Sequence, residues 1–294
     1  MLGSVITAMV TPFRADGAVD FERFRELATH LVESGSDGVV VCGTTGESPT
    51  LSDAEKLDLF RVAVDEVGER ATVIAGAGTY DTAHSAHLTA EATRLGVDGI
   101  LVVTPYYNKP PQRAIVRHFE EVAGATDLPV VAYNIPGRVV VNIESETIAR
   151  LAEIENVVAV KQAHDDPEQA RFIAEETRLD LYSGDDPNTL AFLDLGGVGV
   201  VSVTSHLWGP QIAEMIRRHR EGDVEGALAL HEEQRPSYDL LRIQTNPIPI
   251  KAALNLTGRE VGGHRLPMVE ADAEELVQIR SCLERAGLLA PASA

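Results

Sequence analysis

Lysine stands at only four positions in the chain, 56, 109, 161 and 251, and one of them has the surroundings of a nucleophile. Lys161 closes the apolar run Val157-Val158-Ala159-Val160. An amine at the end of a buried strand sits where the ammonium form is disfavoured, which leaves neutral amine to attack a carbonyl. This points to imine chemistry on a small 2-oxo acid; pairing with a carboxylate such as Asp185 is the structural alternative. Lys56 falls on a polar helix, Lys109 in a proline-rich loop, and Lys251 at a helix start after Asn246-Pro247-Ile248-Pro249, where capping or pairing is expected. Carbinolamine dehydration, enamine formation and hydrolysis each move a proton, so an imine-forming lysine needs a shuttle. Tyr133, at the end of the preceding apolar run, is placed to be one, with Thr44 or Thr45 and Tyr107 as a chain of hydroxyls behind it. Core packing for Tyr133, and packing or an interface for Tyr106 and Tyr107, are the plain alternatives. The turn Gly43-Thr44-Thr45-Gly46-Glu47 offers backbone N–H groups and two hydroxyls to a substrate carboxylate, or is simply a strand-to-helix turn. Arg138 can grip a second carboxylate with its fork, or form a surface ion pair.

These residues share a position: each falls at or just past the end of a short β-branched run. The candidate strands are 5–10, 38–42, 72–75, 99–103, 129–133, 157–161, 180–183 and 198–203. Amphipathic helix-like stretches at 20–33, 52–67, 82–95, 112–123, 144–152, 167–177 and 187–195 alternate with them. Continuous apolar strands joined by helices imply a parallel sheet covered on both faces, and eight such units imply a closed (β/α)8 TIM barrel, whose strand C-termini open onto one chemistry-bearing face. An open doubly wound sheet is the weaker alternative, and a dinucleotide site is poorly supported, since no GxGxxG turn follows the first strand. Beyond the eighth strand, 212–218, 224–241, 248–256 and 271–286 read as helices, more than an eighth unit requires. The expected organisation is a barrel over 1–222 with a C-terminal helical extension over 223–294, fraying at 291–294.

Composition narrows the function further. The formal net charge of −20 opposes nucleic acid and anionic membranes, which a concentrated basic stripe would have to overcome, and none is visible. The same charge means that small carboxylate substrates need a local cation. No stretch approaches the roughly 18 apolar residues of a membrane helix, and the opening residues lack a basic signal region, so a cytoplasmic protein is expected. Cys42 and Cys282 lie in no ligand pattern and should be free thiols. His84 and His87 stand three apart on one helix without a completing ligand, so no metal is expected. Hydrolase elbows, zinc-protease motifs and Walker loops are absent from the sequence.

Taken together, Gly43-Thr44-Thr45-Gly46-Glu47-Ser48, Tyr133-Asn134-Ile135-Pro136-Gly137-Arg138 and the lysine ending strand six resemble the dihydrodipicolinate synthase/N-acetylneuraminate lyase superfamily. The resemblance runs over nearly the whole chain, through Thr11-Pro12-Phe13, Thr104-Pro105-Tyr106-Tyr107, Ser183-Gly184-Asp185-Asp186, Asn246-Pro247-Ile248-Pro249 and Arg265-Leu266-Pro267. It is similar above all to the synthase branch, lyases that condense pyruvate with L-aspartate 4-semialdehyde on the route to diaminopimelate and lysine. The resemblance implies that Lys161 holds pyruvate as an imine, Tyr133 exchanges protons, and Thr44 and Tyr107 relay them. It further implies that Thr45, Gly184 and the backbone at Val203 bind pyruvate, and that Arg138 meets the semialdehyde carboxylate. No metal or nucleotide cofactor is implied. Family members lend the equivalent of Tyr107 across a tight dimer interface, and a homotetramer, a dimer of dimers, is expected. A 2-keto-3-deoxy sugar-acid aldolase using the same imine, and a non-catalytic paralogue that only binds a 2-oxo acid, are the alternatives. Arg138 argues against the first and the intact Lys161, Tyr133, Thr45 and Tyr107 against the second. Two departures stand out: Gln162 where an acidic residue is common, and Val203 where isoleucine is frequent. Ser48 and Tyr106 match members inhibited by lysine, but Asp53, Lys56, Tyr80 and His84 do not complete that pocket, so inhibition by lysine is not expected.

Overall fold

The computed structural model describes residues 2–290. Its parallel strands close into a barrel in chain order. They are β1 Val5–Ala8, β2 Gly38–Val41, β3 Thr72–Gly76, β4 Gly99–Val103, β5 Val130–Asn134, β6 Val157–Gln162, β7 Asp180–Ser183 and β8 Gly199–Ser202. The expected (β/α)8 barrel is present. Successive strand residues point to opposite faces, and both faces here are apolar. Ile6, Val40, Ile74, Leu101, Val131, Ala159 and Val201 fill the interior around Tyr182, while Val39, Val73, Val102, Val130 and Val160 pack outward against helices. The floor is closed by the Tyr182 hydroxyl, which donates to Gly3 O at 2.9 Å and accepts from Leu2 N–H at 3.2 Å.

The enclosing helices are α1 Phe21–Glu33, α2 Asp53–Val67, α3 Thr82–Arg94, α4 Gln112–Ala123, α5 Pro136–Val139, α6 Ser145–Leu151, α7 Pro167–Glu176, α8 Thr189–Asp194 and α9 Ser205–Arg220. Short polar residues set several starts by accepting from first-turn N–H groups: Asp20 for α1, Asp81 for α3 and Asp166 for α7. Ser52 and Glu55 form a reciprocal capping box at α2.

Two helical expectations need correction, and one short helix is additional. The single helix expected over 224–241 is two, α10 Val224–Glu233 and α11 Arg235–Ile243, with Pro236 in the first turn of the second, where its missing N–H costs nothing. The helix expected at 212–218 begins earlier, at Ser205, and runs through a kink at Trp208 just before Pro210. The short α5 was not anticipated. The chain ends its described part with α12 Ile248–Leu256 and α13 Ala273–Arg285; the expected fraying at 291–294 lies outside the described residues. Trp208, Ile212 and Met215 of α9 join Leu240, Ala253, Ile279 and Leu283 in one apolar cluster. Cys42 and Cys282 are buried free thiols. Among the described residues no helix is long and apolar enough to cross a membrane, and no group of three or more His, Cys, Asp or Glu is placed to hold a metal.

Candidate active site

Tyr133 and Lys161 are register partners on β5 and β6. Both side chains turn inward at the strand C-termini, and both are buried. The Lys161 ammonium lies 4.0 Å from the centre of the Tyr133 ring, a favourable cation–π distance. Among the described residues no carboxylate pairs with Lys161, so the pairing with Asp185 is not formed and the amine faces the cavity.

The next residues along, Asn134 and Gln162, are also register partners, and alternation sends them outward. There they build a buried network of neutral amides. Asn134 Nδ2 donates to Asn142 Oδ1 at 2.7 Å, Gln162 Oε1 at 3.0 Å and Gln169 Oε1 at 3.2 Å, while its Oδ1 accepts from Ile143 N–H at 3.0 Å. Gln162 Nε2 donates to Gln169 Oε1 at 2.7 Å, and Gln169 Nε2 to Ile143 O at 2.9 Å. This accounts for Gln162: an acidic side chain there would bring an unpaired charge into a site whose groups are all neutral. The amides fix the strand ends from which Tyr133 and Lys161 project.

The turn after β2 supplies the opposite wall. Thr44 and Thr45 line the cavity, and among the described residues their backbone N–H groups donate to nothing, which leaves a pair of donors free for an anion. Asn246 Nδ2 donates to Thr45 Oγ1 at 2.8 Å, so the Thr45 hydroxyl proton is free to point elsewhere. Arg138, on α5, sits exposed at the rim and donates to Asn246 O at 2.9 Å. Glu47 ends the turn in the left-handed region, at φ 56°. Its buried carboxylate accepts from Lys251 Nζ at 3.0 Å and from Arg265 N–H at 3.1 Å. Lys251, fully buried, also donates to Thr11 O at 3.0 Å and to Gly263 O, and lies 4.5 Å from the Phe13 ring centre. Burial pulls its ammonium below the usual lysine range while Glu47 holds it up. Arg265 clasps Glu55 and holds that carboxyl down to about 2. Lys251 therefore pairs, as expected, and the C-terminal segment is tied to the turn that lines the cavity.

The third wall comes from the ends of β7 and β8. Gly184 has no room for a side chain: a Cβ would stand 2.8 Å from Ala163 Cβ and 3.0 Å from Lys161 Cγ, so glycine here lets the backbone pass beside the lysine. Asp186 is a buried hub, accepting from Ser202 Oγ, from Val203 N–H at 2.9 Å, and from Thr204 N–H at 3.3 Å and Oγ1 at 2.8 Å. His206, buried and driven down to about 4 by desolvation, is neutral. Its Nε2 accepts from Val10 N–H at 3.1 Å, so Nδ1 carries the proton and donates to Val203 O at 2.8 Å. The Val203 backbone at the cavity wall is thereby held in place, its N–H by Asp186 and its carbonyl by His206. Asp185 opens to solvent inside a concave surround, where desolvation and then Asp186 push its carboxyl up to about 6.

These walls enclose a cavity of about 390 Å³ lined by Thr44, Thr45, Tyr133, Arg138, Lys161, Gly184, Asp185, Val203 and Asn246. Thr44 and Tyr133 also border a smaller space of about 50 Å³ with Ser48 and Tyr106. Tyr107 is not brought to the cavity of its own chain: with φ 70° and 90% exposure it points into solvent. The sequence reading missed the roles of Asp186, His206, Asn246 and the amide network. Only the paired acids after β7 and the Asn-Pro pair before α12 signalled any of them.

Comparison with known proteins places this constellation. The model of the dihydrodipicolinate synthetase family matches residues 1–286. The chain belongs to that family. A 4-hydroxy-tetrahydrodipicolinate synthase of Desulforudis audaxviator is 51% identical, with 98% of each chain covered. That of Moorella thermoacetica is 49% identical over 98% of this chain and 99% of its own. Among solved structures, the DHDPS of Cyanidioschyzon merolae with lysine bound superposes with a TM-score of 0.96 at 46% identity, covering 98% of this chain and 99% of that one. A chloride-inhibited dihydrodipicolinate synthase of Acinetobacter baumannii, complexed with pyruvate, gives 0.95 at 34% identity, covering 98% and 100%. Dihydrodipicolinate synthetase family membership thus agrees with a barrel mouth that holds one unpaired lysine against a tyrosine.

Proposed function

We propose that this member of the dihydrodipicolinate synthetase family is a 4-hydroxy-tetrahydrodipicolinate synthase, condensing pyruvate with L-aspartate 4-semialdehyde through an imine on Lys161. The observation that carries the proposal is the unpaired Lys161 ammonium beside the Tyr133 ring in a cavity that also holds Thr45 and Arg138. The free N–H groups of Thr44 and Thr45, with the Thr45 hydroxyl, receive the pyruvate carboxylate. Lys161 Nζ attacks the keto carbon, and the carbinolamine loses water to give the iminium. Loss of a proton from the methyl carbon gives the enamine, whose carbon attacks the aldehyde; the alkoxide takes a proton and the iminium returns, and the amine of the second substrate then adds to the iminium carbon, closes the ring and expels the Lys161 amine. Tyr133, with Thr44 beside it, carries these protons. Arg138 grips the semialdehyde carboxylate at the rim. The solvent-facing Tyr107 completes the relay in a neighbouring subunit, as one half of a tight dimer within a homotetramer.

The test is turnover. Pyruvate consumption is expected to depend on added L-aspartate 4-semialdehyde, and 2-keto-3-deoxy sugar acids are expected to go uncleaved; the reverse pattern would assign a sugar-acid aldolase. In the same assay, millimolar L-lysine is expected to leave the rate unchanged. Lys56 is buried with its ammonium 3.8 Å from Asp53, and Asp53 also pairs with His84 Nε2 at 2.9 Å. The charges that a bound amino acid would need are satisfied within the chain. Inhibition by lysine at those concentrations would show that the pairs open to admit it.

A further inference from the structure

Two carboxylates line the main cavity, Asp185 and Asp186, and they differ in what remains available to a ligand. Asp186 is buried and its oxygens are taken by donors from Ser202, Val203 and Thr204. Asp185 is accessible from the cavity. Its Oδ2 accepts from Asn188 Nδ2, at 3.2 Å, and its Oδ1 has no hydrogen-bond partner among the described residues; the positive charges of Arg242 and Lys161 act on the carboxylate without forming an ion pair with it. The backbone beneath it is held, because Ser183 Oγ donates to Asp185 O at 2.7 Å and accepts from Asp185 N–H at 3.4 Å. A carboxylate with a pinned backbone and a free oxygen, in a cavity shared with Lys161, is a ready acceptor for a cation.

The second substrate proposed above carries two charges at the end away from its aldehyde, a carboxylate and an ammonium. Arg138 answers the first. We propose that Asp185 recognises the ammonium of the second substrate and so selects an amino-acid aldehyde over the same aldehyde lacking nitrogen. Lys161 supplies no competing cation when the aldehyde is attacked, because its nitrogen is then part of the neutral enamine. The inference rests on the reading of the second substrate given under Proposed function.

The experiment compares native protein with Asp185→Asn, and uses succinic semialdehyde, which has the aldehyde and carboxylate but no ammonium, as a competitor. A lost charge-assisted hydrogen bond is expected to raise KM for L-aspartate 4-semialdehyde about 10- to 100-fold. KM for pyruvate, the borohydride-trapped pyruvate adduct and the inhibition constant of succinic semialdehyde should all stay within about twofold of native. The unchanged adduct shows that the variant is folded. An unaltered KM for the aspartate semialdehyde, or equal weakening toward both aldehydes, overturns the inference while leaving the synthase intact. If native protein forms the pyruvate adduct yet turns over no aspartate semialdehyde, the reading of the substrate fails and this inference falls with it.

Discussion

Incubation of native protein with pyruvate and borohydride is expected to add one reduced pyruvyl group, on the peptide containing Lys161, and Lys161→Ala is expected to add none. Turnover should fall at least about 10³-fold, equivalent to about 4 kcal/mol of barrier. No other lysine can substitute. Lys251 is fully enclosed and bound to Glu47, Thr11 and Gly263, and Lys56 is buried beside Asp53. Lys109, in a left-handed loop conformation at φ 47°, is absent from the cavity lining. An adduct retained by Lys161→Ala would move the nucleophile to another residue and undo the mechanism. Because the Lys161 ammonium makes no ion pair, its removal leaves no buried charge stranded. The variant should therefore melt close to native, which separates a chemical loss from a folding loss.

The largest effect on stability is expected at Glu47. Its carboxylate and the Lys251 ammonium are both fully buried, 3.0 Å apart. Removing one partner of such a pair leaves the other charged and uncompensated, at a cost of about 3–5 kcal/mol. Glu47→Ala should accordingly lower Tm on the order of 10 °C, and Lys251→Met should do the same. Glu47 also ends the turn that carries Thr44 and Thr45, so in Glu47→Ala the KM for pyruvate should rise. The combination Glu47→Ala with Lys251→Met removes both charges and should recover much of the lost stability, giving a strongly non-additive double-mutant cycle. Simple addition of the two single losses in thermal melts would mean that the charges act independently.

The barrel was legible in the sequence because its signals are local. The runs ending at Tyr133 and Lys161 are buried on both faces, so they read as unbroken apolar strands, and earlier helices announce their starts with Ser52 before α2 and Asp81 before α3. The expected reactive residues were also legible, since a polar side chain closing an apolar run stands out. What escaped depends on distant contacts. Lys251 and Glu47 are 204 residues apart, and Asn246 reaches Thr45 across 201; nothing in either neighbourhood specifies the partner. Asp186 looks no different from Asp185 in the sequence, yet one is consumed by the end of β8 and the other is left open. The bounds that failed lie beside prolines: α9 starts at Ser205 and runs on through Pro210, and Pro236 sits at the boundary that divides 224–241 into two helices.

The amide network behind Tyr133 and Lys161 contains no ionisable group. Its hydrogen bonds therefore depend on neither proton nor salt concentration, unlike the exposed pairs of the outer helices, such as Arg217 with Glu214, which added salt screens. The alignment of Tyr133 with Lys161 is insulated from the ionic composition of the medium, even in a chain carrying a formal charge of −20.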